Sequence, residues 1–135
     1  MKIVALIARI LLGLIFFVFG LNGFLHFIPS PTRPGAAGQF IGAMAASHYS
    51  HLVFAVQLIA GALLLVNRFV PLAVVLLGAV LANILTFHIT MAPDGAASAV
   101  VATILWLIVA YDVREAFKPL LVSKVSAGGA SKGNG

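Results

Sequence analysis

Residues 3–27 read IVALIARILLGLIFFVFGLNGFLHF, an apolar run interrupted only by Arg9, Asn22 and His26. About 20 helical residues cross the hydrocarbon of a bilayer, so this run is long enough to span it. A cleaved leader is the competing reading of an N-terminal apolar run. Its apolar region is about 7–15 residues long, and no small-x-small site follows promptly here, so a retained helix is expected.

After this run, Pro29, Pro31, Pro34 and Gly35 break the chain. Residues 37–47, AGQFIGAMAAS, are too short to cross and are expected to form a short interfacial or re-entrant helix. His48-Tyr49-Ser50-His51 makes a polar joint. A second span is expected over 51–66, short and carrying Gln57, and it closes on Asn67-Arg68 with almost no loop. A third is expected over 69–91, with Pro71 in its first turn, where the missing N–H costs nothing. After the turn Met91-Ala92-Pro93-Asp94-Gly95, a fourth is expected over 96–113. REAFKPLL, residues 114–121, reads as an amphipathic turn or two at the interface. The expectation is an all-α integral membrane four-helix bundle over residues 1–121, with a short interfacial helix between spans one and two. Residues 122–135 are expected to be a disordered cytoplasmic tail.

Composition agrees. Apolar residues make up 62% and charged residues 8%, whereas a soluble domain carries about 25% charged residues. The net charge of +5 does not imply nucleic acid, because the basic residues stand at the ends of apolar runs rather than among aromatics on a polar face. They set orientation instead. With the N-terminus inside, Lys2, Arg9, Arg68, Arg114, Lys118, Lys124 and Lys132 face the cytoplasm and only Arg33 faces out. The expected location is a bacterial inner membrane with both termini cytoplasmic. The absence of cysteine removes disulfides, thiolate metal sites and a dithiol relay.

This topology gathers all four histidines in the outer half: His26, His48, His51 and His88, together with Asn22, Asn83, Thr86, Thr90 and Asp94. Polar groups in lipid face the bundle interior and need partners. Asn22, His26, Gln57, Asn83 and His88 are therefore the candidate ligand-binding residues. Asn22 and His26, four apart, share a helix face. His88 lies about 140° around its helix from Asn83, so the two are not expected to aim at one point. Interhelical hydrogen bonding accounts for the same residues without a ligand. Axial haem ligation by His26 and His88, or a zinc or copper ion between His48 and His51, lacks supporting ligands nearby, and no metal site is expected. Gly13, Gly20 and Gly23 suggest a seam of close helix approach. No nucleophile–base set, phosphate loop or acidic pair is present, so no catalytic residue is assigned.

Residues 8–29, ARILLGLIFFVFGLNGFLHFIP, and 57–88, QLIAGALLLVNRFVPLAVVLLGAVLANILTFH, resemble the DoxX family of small bacterial membrane proteins. The most distinctive parts are the Asn-Gly-Phe-Leu-His segment ending at His26 and the Asn-Ile-Leu-Thr-Phe-His segment ending at His88. The resemblance implies a four-helix membrane bundle. Members are named after a subunit of a thiosulfate:quinone oxidoreductase, and some are linked to membrane redox complexes. Many carry an acidic residue near the position of Gln57, so the amide here argues against proton handling. The functional expectation is a membrane subunit or accessory factor of a redox or stress-related complex, in contact with lipid and with other subunits. The sequence requires no cofactor. The alternatives are a quinone- or cofactor-binding oxidoreductase subunit and a small transporter, which four spans would build only as a homo-oligomer.

Overall fold

The computed structural model describes residues 2–30 and 32–125. The tail beyond residue 125, expected to be disordered, lies outside the described residues. The chain forms α1 (Lys2–Leu25), α2 (Gly35–Ala46), α3 (Ser50–Val66), α4 (Val70–Thr90) and α5 (Ala96–Asp112). A 3-10 turn at Pro93–Gly95 precedes α5, and a 3-10 segment at Arg114–Leu121 follows it. No strand occurs among the described residues. Three helical stretches are long and apolar enough to cross a membrane: Lys2–Leu25, Val70–Thr90 and Pro93–Asp112. The number becomes four if α2 and α3, bent by 84° at their joint, count as one broken span. These apolar helices fit a membrane protein.

The helix boundaries follow local chemistry. Asn67 ends α3 in the left-handed conformation (φ 56°), and Phe69 repeats that conformation (φ 53°) one residue before α4. Two left-handed residues reverse the chain within a very short turn. Asparagine visits this region readily, whereas phenylalanine does so at a cost of roughly 1–2 kcal/mol. Pro71 then occupies the first turn of α4, as the sequence implies. The α2–α3 joint is bent by the same device, since His48 has φ 63°.

α1 packs on α3 and α5, and α4 packs on the same two helices, closing a ring of four. The α1–α3 contact is the closest. A Cβ placed on Gly20 would lie 2.6 Å from the backbone nitrogen of Leu58, and one on Gly61 would lie 2.5 Å from that of Phe17. Glycine is required at both sites because backbone meets backbone. The expected seam of Gly13, Gly20 and Gly23 is therefore real, and Gly61 is its counterpart on α3. Gly78 serves another purpose: the Trp106 ring lies against it, and Trp106 Nε1 donates to the Val74 carbonyl at 2.8 Å.

The core is not centred. Its largest fully buried side chains are Leu12, Leu64, Val74, Leu77 and Val109. All belong to the half that holds the N-terminus of α1, the α3–α4 turn and the C-terminus of α5. This is the basic end, with Lys2, Arg9, Arg68 and Arg114. On α4 nothing beyond Leu81 is buried. At the opposite, histidine-bearing end, α1 and α3 still touch, with Phe24 stacked on His51 at 5.4 Å. There α3 and α4 are separated by an open cavity.

Overpacking a close-packed site costs about 1–3 kcal/mol. Gly61→Ala is expected to lower thermal stability in detergent by that amount. Gly42, with open space around it in α2, is expected to tolerate alanine with a gain of up to about 1 kcal/mol.

Candidate functional site

A cavity of about 880 Å³ lies between α3 and α4, with α2 leaning across it. Its walls are mainly apolar: Leu52, Val53 and Val56 from α3, and Leu76, Val80 and Ile84 from α4. α2 contributes Phe40 and Met44, four residues apart and thus on one face. Phe40 meets Phe87 of α4 with ring centroids 5.7 Å apart, which holds α2 over the opening. No lysine, arginine, aspartate or glutamate lines the cavity.

Gln57 is the polar feature of this wall. It is only 7% exposed, and its carboxamide makes no hydrogen bond among the described residues. A buried polar group left unsatisfied costs about 1–3 kcal/mol, so this amide calls for a partner that the described residues do not provide. By helical rise it lies about 10 Å along α3 from Ser50. Asn83 lies at a similar depth, about 10 Å along α4 from Thr90. Its Nδ2 donates to the Ala79 carbonyl at 2.9 Å, which leaves Oδ1 free to accept. Together the two amides offer donors and acceptors at one level of an otherwise apolar cleft.

His88 also borders the cavity, so the two residues that helix geometry sets about 140° apart line one site after all. The cleft is long enough to reach both. His88 lines the cavity with its ring. Its Nδ1 lies 3.0 Å from the Ile84 carbonyl, which can only accept, so Nδ1 carries the proton there. Its Nε2 edge packs against Gly95, where a Cβ would approach to 2.7 Å. Beside it, Arg33 pairs with Asp94 at 3.1 Å, tying the loop before α2 to the turn before α5.

Asn22 and His26 do not join the site. The shared helix face expected for them fails because α1 ends at Leu25 and His26 turns left-handed with φ 54°. Asn22 instead wraps the helix end. Its main-chain carbonyl accepts from the His26 N–H at 2.8 Å and its Oδ1 from the Ile28 N–H at 2.6 Å. Interhelical bonding is not the use of Thr86 and Thr90 either, for each hydroxyl bonds to the carbonyl four residues back on α4. His48 and His51 stack face to face at 5.2 Å, which turns their rings toward each other rather than toward a common ion. No group of three or more metal-ligating side chains occurs among the described residues.

Sequence reasoning missed the contribution of α2. The signal was the short second span. The 17 residues of α3 reach about 25 Å at 1.5 Å per residue, less than the roughly 30 Å of hydrocarbon. Comparison with family models, curated proteins and solved structures finds no match.

Replacing Asn22 with alanine removes the bond to Ile28 and is expected to cost about 1 kcal/mol in thermal unfolding. His26→Ala is expected to be neutral within about 0.5 kcal/mol. Neither substitution is expected to alter what the cavity binds.

Proposed function

We propose that this chain is a multi-pass membrane protein of the bacterial inner membrane that holds a lipophilic ligand between α2, α3 and α4. It would serve there as the membrane subunit or accessory factor of a redox complex. In this reading α1, α3, α4 and α5 are the crossings and α2 lies along the outer interface. The distribution of lysine and arginine puts both termini in the cytoplasm. The resemblance to the DoxX family leads to the same class of protein.

The observation that carries the proposal is Gln57, an unpartnered amide buried in an apolar cavity. A quinone suits it. Its carbonyl accepts from the Gln57 Nε2, its reduced hydroxyl donates to Asn83 Oδ1 or Gln57 Oε1, and its ring and tail match the aliphatic and aromatic walls. An anionic headgroup does not suit it, because a charge buried without a partner is strongly disfavoured. The chain holds no nucleophile–base pair or metal cluster among the described residues to perform chemistry of its own. The ligand would carry the electrons, and a partner subunit would supply or remove them.

Purification in native-lipid discs, followed by solvent extraction and chromatography, tests this. The expected result is near-stoichiometric quinone with the wild-type protein and little with Gln57→Leu. The same substitution removes an unsatisfied polar group of similar shape, so the emptied variant is expected to unfold with about 1–3 kcal/mol more stability than ligand-free wild type. A folded wild-type protein that carries no quinone, or a Gln57→Leu variant that retains it, would overturn the proposal.

A further inference from the structure

A second cavity, of about 260 Å³, lies at the basic end among α1, the α3–α4 turn and α5. It is independent of the site described above. Lys2, Arg9, Asn67 and Asp112 line it, beside Ala5, Leu6, Val70, Val109 and Val113. Charges of both signs meet here without neutralising one another, since no ion pair joins Lys2 or Arg9 to Asp112 among the described residues. Arg9 is half-buried, and one guanidinium nitrogen donates to the Leu64 carbonyl near the end of α3. That bond holds the arginine in place and leaves its other N–H groups free. The Asn67 side chain makes no hydrogen bond among the described residues, and Asn67 itself is fixed by the left-handed turn.

Leu6 connects this niche to a different surface. On α1, Ile3, Leu6 and Ile10 fall within a narrow arc, and they are 67%, 44% and 39% exposed. Lys2, Ala5 and Arg9 occupy the adjacent arc. A polar niche with both charges thus opens directly onto an apolar stripe running along the helix.

We infer that this niche binds the headgroup of a phospholipid bearing a primary ammonium, of the phosphoethanolamine type, with an acyl chain along Ile3, Leu6 and Ile10. The phosphate accepts from Arg9 and Lys2. The ammonium donates to the Asp112 carboxylate and the Asn67 amide oxygen. Asp112 sets the selectivity. Beside a simple anionic headgroup it is a repulsive neighbour, and a quaternary ammonium has no N–H to donate to it.

Native mass spectrometry of the full chain, released from discs of equimolar phosphatidylethanolamine, phosphatidylglycerol and phosphatidylcholine, tests the inference. Wild type is expected to retain one phosphatidylethanolamine in preference to the other two. Asp112→Asn is expected to lose that preference while keeping phosphatidylglycerol. Lys2→Gln is expected to weaken retention of every phospholipid by about tenfold, the weight of one charge-assisted hydrogen bond. Lys118→Gln removes a charge outside the niche, where Lys118 pairs with Glu115 at 2.8 Å, and is expected to change nothing. Soluble phosphoethanolamine, lacking chains for the stripe, is expected to leave the lipid bound. Equal retention of phosphatidylglycerol by wild type would overturn the inference. So would a preference that survives Asp112→Asn, or a loss of lipid in Lys118→Gln as large as in Lys2→Gln. Displacement by soluble phosphoethanolamine would reassign the niche to a water-soluble ligand and overturn it as well.

Discussion

The contact between α1 and α3 governs the rest of this architecture. In the membrane setting proposed for them, these helices would gain nothing from hiding apolar surface, because the surroundings would be equally apolar, and close packing would have to hold them together. Gly20 and Gly61 allow the two backbones to approach until a single methyl group would not fit. The seam then continues in both directions. Toward the basic end Arg9 donates to the Leu64 carbonyl, and toward the other end Phe24 stacks on His51. α3 is committed to α1 along its whole length.

This commitment explains why the molecule has a packed half and an open half. α4 is joined to α3 by the tight Asn67–Phe69 turn, and near that turn Val70, Val74 and Leu77 fill the core. Farther from the turn α3 still follows α1, and α4 has no buried residue after Leu81. The space between them becomes the cavity that α2 crosses. Gln57 stands at the boundary, one helical turn from Gly61. It is near enough to the seam to be buried and near enough to the gap to lack a partner. Had the amide lain one turn toward Gly61, the helix contact would have enclosed it. One turn toward Leu52, at Val53 and Phe54, the helix is only half-buried.

Much of this was legible in the sequence, and the exceptions have physical causes. The long apolar stretches, the Pro71 start of α4, the glycine seam and the gathering of histidines at one end all follow from composition and helical period. Gln57 stood out because an amide deep in an apolar run must find a partner. What could not be read was where helix geometry stops. Helical spacing placed Asn22 and His26 on one face, but a left-handed His26 ends that periodicity, and Asn22 is consumed by the chain end it caps. Spacing likewise separated Asn83 from His88. The angle is sound for a small site and irrelevant for a long cleft, whose length depends on how far α3 and α4 diverge. The 84° elbow between α2 and α3 contains a left-handed His48, and although histidine adopts a positive φ more readily than most residues, its presence in a polar joint does not specify one.

The two cavities differ in chemistry because they lie at different depths of the bundle. Desolvating a charge costs far more than desolvating an amide. In the cleft, Gln57 and Asn83 lie about 10 Å inward from the helix ends, and no lysine, arginine, aspartate or glutamate lines it. The niche at the basic end lies beside the first turns of α1 and the last residues of α5, where Lys2 and Asp112 remain exposed. Arg9 is the instructive case between them. It lies deeper along α1 than Lys2, and it is tolerated because the Leu64 carbonyl takes one of its protons while its long side chain reaches toward the basic end. The same bond that closes the helix seam therefore fixes the cation of the niche, so packing and ligand chemistry at this end depend on one residue.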